Sequence, residues 1–257
     1  MKHLSRSLVF LSALLLSALA AYGQDLDRIR GDLASGNVEL ERNALFQIRL
    51  IGSAEASRLA LPLLNDPNEL VRATAPSAVI YLPKSEAASV LIPLLSDKAE
   101  FVRQETAYAL GKVGDASAVP PLIKAIHKDS DPVRNAATVA LGEIGDAFAL
   151  ETLSELLKKK PTEDNEFLRR AAAHSIGEIA GLQKTPVTAQ FRNAGVVLVK
   201  VLQSNKEAED TRREAARALG AIGDPQAVGI LKANVNSSDT YLAEICRNAL
   251  RKLGSPE

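Results

Sequence analysis

The stretch Asp131–Lys158, DPVRNAATVALGEIGDAFALETLSELLK, decides the fold. It holds two helix starts and one helix stop. Asp131 suits an N-cap, where its carboxylate accepts a free backbone N–H, and Pro132 suits the first helical position because it has no N–H to leave unpaired. Val133, Ala137, Ala140, Leu141 and Ile144 follow at helical spacing on one face. Gly145 stands where a left-handed stop is wanted, and Asp146 caps the next helix. In that helix Leu150, Leu153, Leu156 and Leu157 make the apolar stripe. The stretch predicts a helical hairpin, with Gly142 letting a neighbouring helix approach closely.

The same punctuation recurs in one register. FVRQETAYALGKVGD starts at Phe101, FLRRAAAHSIGEIAG at Phe167 and DTRREAARALGAIGD at Asp210, with weaker copies from Leu40, Leu70 and Tyr241. Aligned on the turn glycine, one column reads Glu41, Arg72, Arg103, Arg134, Arg169, Arg212 and Ala243, in steps of 31, 31, 31, 35, 43 and 31 residues. The core column reads Ile48, Val79, Leu110, Leu141, Ile176, Leu219 and Leu250. Companion apolar segments such as EASRLALPLLND, ASAVPPLIKAIHKD and FRNAGVVLVKVLQS lie between these copies. Two short helices cannot bury two apolar faces alone, so each hairpin must stack on the next. The prediction is an all-α fold, an α-solenoid of about seven helical hairpins over residues 24–257.

Composition agrees. Of the 257 residues 46% are hydrophobic but only 4% aromatic, with no Trp, one Met and one Cys, so the core must be built from Ala, Leu, Val and Ile. Abundant Ala favours helices over strands. The single cysteine forbids an internal disulfide, and Cys246 falls at a position that is Ala in most copies, which predicts a small core residue rather than a reactive thiol.

The first residues, MKHLSRSLVFLSALLLSALAAYGQ, carry Lys2 and Arg6, then an apolar and small run from Leu8 to Ala21. This is the pattern of a secretory signal peptide over residues 1–23, cleaved after Gly23 or Ala20. A helix over that run spans about 21 Å, short of the roughly 30 Å hydrocarbon core. The expected location is periplasmic or secreted, with no membrane insertion once the leader is removed. Losing Lys2 and Arg6 leaves 31 − 2 = 29 basic residues against 31 acidic, a net charge near −2.

DPVRNAATVALGEIGD and its copies resemble the short HEAT-like repeat family associated with phycobilin lyases. The resemblance implies a right-handed superhelix whose Arg-bearing second helices line the concave side. It also implies a structural hydrogen-bonded ladder between the Asp and Arg of successive repeats, here Asp66, Asp97, Asp131, Arg72, Arg103, Arg134, Arg169 and Arg212. Glu41 and Ala243 depart from it at the two ends, as capping repeats do. The HEAT-like hydroxylase that modifies deoxyhypusine binds iron through repeated His–Glu pairs, but no His–Glu dipeptide occurs here. His3 falls in the leader, and His127 and His174 each stand alone in their repeats, short of the three or four ligands of a metal site. Nucleic-acid binding wants a clustered positive field, which a charge near −2 does not supply. There is no G-x-S-x-G elbow, G-x-G-x-x-G or P-loop. These readings predict no enzyme, no cofactor, no metal and no nucleic-acid partner.

What remains is surface. On the groove side of the second helices one column runs Phe46, Ser77, Tyr108, Val139, His174, Arg217 and Asn248, and its neighbour runs Leu50, Tyr81, Lys112, Glu143, Glu178, Ala221 and Lys252. Tyr and Arg are enriched at interaction hot spots. The expected protein-binding residues are therefore Tyr81, Tyr108, His174, Arg217, Lys112 and Glu143; the same positions also suit solvated residues with some inter-repeat packing. Two breaks in the period, Lys158–Glu166 and Leu182–Gln190, suit tolerated surface insertions or loops that touch a partner. The expected function is an exported, non-enzymatic module binding a protein or peptide on its concave face. The alternative is a lyase-like or accessory factor acting on a protein substrate.

Overall fold

The computed structural model describes residues 25–183 and 187–255, and the expected leader over 1–23 lies outside them. Fourteen α-helices, some prolonged or preceded by a 3-10 turn, account for seven hairpins, and no strand occurs among the described residues. The chain is an all-α solenoid. It divides into two compact units, one ending at Pro83 and one beginning at Lys84.

The first unit holds α1 (25–33), α2 (Val38–Ile51), α3 (Ala54–Ala60) and α4 (Glu69–Thr74). The Asn37 side chain caps α2 by accepting the N–H groups of Glu39 and Leu40 at 3.0 and 3.2 Å. Glu41, which replaces Arg in the repeat column, is buried and accepts the Gly36 N–H at 3.1 Å, tying the α1–α2 turn. α3 and α4 both give way to 3-10 turns, Leu61–Asn65 and Ala75–Ala78, at Pro62 and Pro76. A proline removes one helical donor and its ring opposes the preceding turn, so the α-helix does not continue. The weak copy from Leu70 is therefore a broken helix. Ser57 Oγ donates to the Ala78 carbonyl at 2.7 Å, pairing a buried acceptor at that break.

The second unit holds α5 (Lys84–Leu91), α6 (Glu100–Val113), α7 (Val119–Lys128), α8 (Asp131–Ile144), α9 (Leu150–Lys158), α10 (Glu166–Leu182), α11 (Ala189–Gln203), α12 (Glu209–Ile222), α13 (Val228–Asn234) and α14 (Thr240–Lys252). The even-numbered helices form one layer, each packed on the next from α6 to α14. Leu110, Leu141, Ile176, Leu219 and Leu250 form its buried column, as the register predicts. Between the layers, Asp115, Asp146 and Asp224 each accept the N–H two residues on at 2.9 Å and open the next helix with a 3-10 turn. Gly145 ends α8 at φ 78, ψ 14, a left-handed conformation that residues with a Cβ rarely adopt.

Close approach sets the even layer apart. A Cβ added at Gly142 would lie 2.9 Å from Ser175 Cα, and one at Gly220 would lie 3.0 Å from Ala249 Cα. Helix backbones come nearest where glycine faces a small residue, and the register places such a pair at successive even-helix junctions. The odd helices, by contrast, leave a groove of about 630 Å³ between α7, α9 and α11. In the second unit the even layer is therefore the tightly packed one and the odd layer the open one.

One detail differs from expectation. Asp131 is the first helical residue of α8 rather than its N-cap; Ser130 holds the extended cap position, and Asp131 pairs with Arg134 at 2.7 Å. Lys158–Glu166 is a mostly exposed insertion, in which Asn165 Oδ1 accepts the Thr162 N–H at 3.0 Å around a 3-10 turn. The other insertion lengthens α10, whose Leu182 side chain lies over Gly145.

Candidate functional site

The arginine column works structurally, in a register that the sequence pattern only partly anticipates. Arg103 on α6 donates from Nε and Nη2 to both oxygens of Asp129 at 2.8 and 2.7 Å, and from Nη1 to the Asp97 carbonyl at 2.9 Å. Partial burial pushes the Asp129 carboxyl up, but hydrogen bonds from Arg103 and the Ser130 N–H outweigh it and hold the group below the usual carboxylate range. Arg169 makes the same two-pronged bond to Glu207 at 2.7 and 2.5 Å, with both side chains almost wholly buried. Arg213, one residue past the column, pairs likewise with Asp239 at 2.9 and 3.0 Å. Arg212 instead donates to the Leu202 carbonyl at 3.2 Å, and Arg134 to the Ile126 carbonyl at 3.1 Å. The carboxylates Asp129, Glu207 and Asp239 thus replace Asp131 as the ladder's acids in this unit. The tandem DSD at 129–131 offers two candidates at that step, and the 43-residue step hides Glu207 from a column alignment.

The expected binding residues of the second unit stand on the even layer, and ion pairs between neighbouring helices engage three of them, Lys112, Glu143 and His174. Lys112 on α6 pairs with Glu143 on α8. His174 on α10 bonds through Nδ1 to Glu214 Oε2 on α12 at 3.1 Å, while Nε2 faces Glu178 at 3.9 Å. Arg217 reaches the same Glu214 at 2.5 Å. The hydrogen bond to Glu214 holds His174 above the usual imidazole range, against the effect of burial. Burial pushes Glu214 up, but its bonds from His174 and Arg217 bring it below the usual range. Glu214 was not among the expected residues, although it lies one helical turn before Arg217. Tyr108 is half-buried on α6, a turn before Lys112. Tyr81 belongs to the first unit, 42% exposed, with its ring against Gly52.

Exposed aromatics form a second feature that column reading passed over. Phe101, Phe167 and Tyr241 are about half or more exposed at the starts of α6, α10 and α14. Arg170 lies 5.1 Å over the Phe167 ring and Arg213 lies 5.3 Å over Tyr241. Their signal is the aromatic first letter of the copies from Phe101, Phe167 and Tyr241.

Two concavities stand out. The odd-layer groove, between α7, α9 and α11, is lined by Ile123, Phe148 and Val197 with His127, Glu151 and Asn193. The even-layer notch, of about 470 Å³ between α12 and α14, is lined by Arg217, Gly220, Ile245, Asn248, Arg251 and Lys252. Cys246 is buried on α14, and desolvation pushes its thiol up to about 11, in keeping with a core residue.

The residues present do not fit a His–Glu iron centre. His127 is on α7 in the odd layer and His174 on α10 in the even one, and no group of three or more His, Cys, Asp or Glu gathers at metal-binding range among the described residues.

Comparison with known proteins agrees with the architecture. Residues 32–109, 58–142 and 88–177 match HEAT repeats, together more than half of the chain, and residues 211–237 match the PBS lyase HEAT-like repeat. Human deoxyhypusine hydroxylase is 33% identical over 91 residues, which cover 35% of this chain and 27% of that protein, and the Bos taurus protein is 34% identical over the same shares. The chain thus spans about a quarter of the length of these curated relatives. Among solved structures, an engineered protein aligns over 91% of this chain and 69% of its own, with TM-score 0.60 and 22% identity. The complex of CpcE and CpcF of phycocyanin lyase from Nostoc aligns over 88% and 86%, with TM-score 0.54 and 23% identity. At such identities the likeness shows the fold alone. The matches correct the expectation that the chain is not an enzyme: its curated relatives are hydroxylases, and absent motifs on a solenoid are no ground for excluding catalysis. The chain belongs to the HEAT-repeat family.

Proposed function

We propose that the chain is a protein-binding repeat module that works outside the cytoplasm and holds a segment of a partner protein along the even-helix layer of its second unit. The observation that carries this reading is the row of exposed polar side chains, Lys112, Glu143, His174, Glu178 and Arg217, on helices packed at glycine contact. A contact surface ordered before binding loses little conformational entropy on association, so affinity is not spent on arranging it. Mixed charges on a rigid face suit a polypeptide with matching charges. The apolar run behind Lys2 and Arg6 supports export. A second reading, a factor that acts on the protein it holds, is favoured by the hydroxylase matches.

The test is affinity capture from the producing cell's envelope fraction with three proteins: the natural chain, a Tyr108→Ala/Lys112→Glu/His174→Ala variant, and a Phe148→Ala/Glu151→Lys variant on the odd-layer groove. A stoichiometric partner held by the first and third and lost by the second is the expected result. A partner lost only with the odd-layer variant would overturn the assignment. Conversion of a captured protein, followed by mass spectrometry, would favour the second reading. N-terminal sequencing of the exported chain should begin near Ala21 or Gln24.

A further inference from the structure

The geometry points to the notch between α12 and α14 as a docking site for an acidic segment of a partner polypeptide, whose carboxylate meets the cations gathered there. This rests on the reading of the even layer as a protein-binding face and names the chemistry of one position on it.

The column Lys112, Glu143, Glu178, Ala221, Lys252 occupies one register position on α6, α8, α10, α12 and α14. Lys112 finds its counter-ion one helix along the same column, at Glu143. Lys252, with Ala221 at this position of the preceding helix, makes no ion pair among the described residues. Small residues, Gly220 and Ala249, floor the notch, and Ile245 gives it an apolar wall. Arg217 enters from α12 and Arg251 from α14. Each has one acidic neighbour: Arg217 meets Glu214 at 2.5 Å and Arg251 meets Glu244 at 3.2 Å. Three cations thus gather at the notch, its two nearby carboxylates are shared, Glu214 with His174 and Glu244 with Arg247, and Lys252 is the cation without an ion pair among the described residues. Three side chains over an apolar floor fit a carboxylate beside an aliphatic side chain. They do not form the extended positive track that a nucleic-acid backbone needs.

The test uses the full mature chain and a short fluorescein-labelled peptide of glutamate and leucine, read by anisotropy at low salt. A peptide with lysine in place of glutamate, a single-stranded oligonucleotide and phosphatidylglycerol vesicles serve as comparisons. The acidic peptide should bind, and Lys252→Glu should weaken it about tenfold or more, equivalent to about 1.4 kcal/mol. Ala221→Glu should weaken it similarly by supplying a competing carboxylate from within, on a partly exposed position that leaves the fold intact by circular dichroism. Unchanged affinity in both variants overturns the inference, as does tighter binding of the oligonucleotide or the vesicles. Such a failure leaves the capture experiment with Tyr108, Lys112 and His174 untouched, so the two readings fall separately.

Discussion

Removing the Glu207 carboxylate should cost more stability than any other single ion-pair loss described here. Arg169 and Glu207 have side chains only 3% and 2% exposed. In Glu207→Ala the Nε and Nη2 donors of Arg169 lose both their acceptors, while Nη1 keeps the Leu156 carbonyl at 3.2 Å and the Lys159 carbonyl. Two charge-assisted hydrogen bonds at about 1.5–3 kcal/mol each give about 3–6 kcal/mol. Breaking a buried pair by deleting one partner independently gives about 3–5 kcal/mol, because the other charge stays buried without compensation. The loss should appear in urea unfolding followed by far-ultraviolet circular dichroism, and it should be nearly independent of salt. Because repeat arrays unfold as linked neighbours, hydrogen exchange should show the weakening first at the junction of α10 with the segment before α12. Arg169→Met/Glu207→Leu should recover most of the loss, since a packed apolar pair replaces a desolvated ionic one. A Glu207→Ala protein within about 1 kcal/mol of the natural one would refute the reasoning.

Three further outcomes follow from the even layer. Gly142→Ala should destabilise by about 1–3 kcal/mol in the same unfolding assay, because its Cβ would meet Ser175 backbone and side chain below 3 Å, whereas Gly229→Ala on α13, with open space around it, should be neutral or gain up to about 1 kcal/mol. Thr211→Val should stabilise by about 1 kcal/mol in thermal or urea unfolding, since the buried Thr211 hydroxyl has no hydrogen-bond partner among the described residues. His174 should titrate above the ordinary imidazole value of about 6.5 in an NMR pH series, and Glu214→Gln should lower it. Because the folded value is raised, the stability this pair adds is full below the unfolded pKa and is lost as pH rises through the folded one.

The sequence by itself determined the helical hairpins, their number and their register. Apolar spacing, the Gly145-type stops and the Asp146-type caps are local chemistry, acting within a few residues, so they can be read letter by letter. The core column from Ile48 to Leu250 followed from the same arithmetic. Tertiary structure decided what one repeat does to the next. Arg103 chooses Asp129 over Asp131, Arg213 rather than Arg212 meets Asp239, and Arg169 finds Glu207 across the longest step, because side-chain reach depends on where a neighbouring loop lands in space. Pro76 breaks α4, where the column predicted a continuing helix. The candidate site divides in the same way. Its face was legible as two columns, but Glu214 as the bridge between His174 and Arg217, and the notch at Lys252, exist only once adjacent helices are packed. Hairpin formation is settled along the chain, whereas pairing between hairpins depends on distances that no single repeat contains.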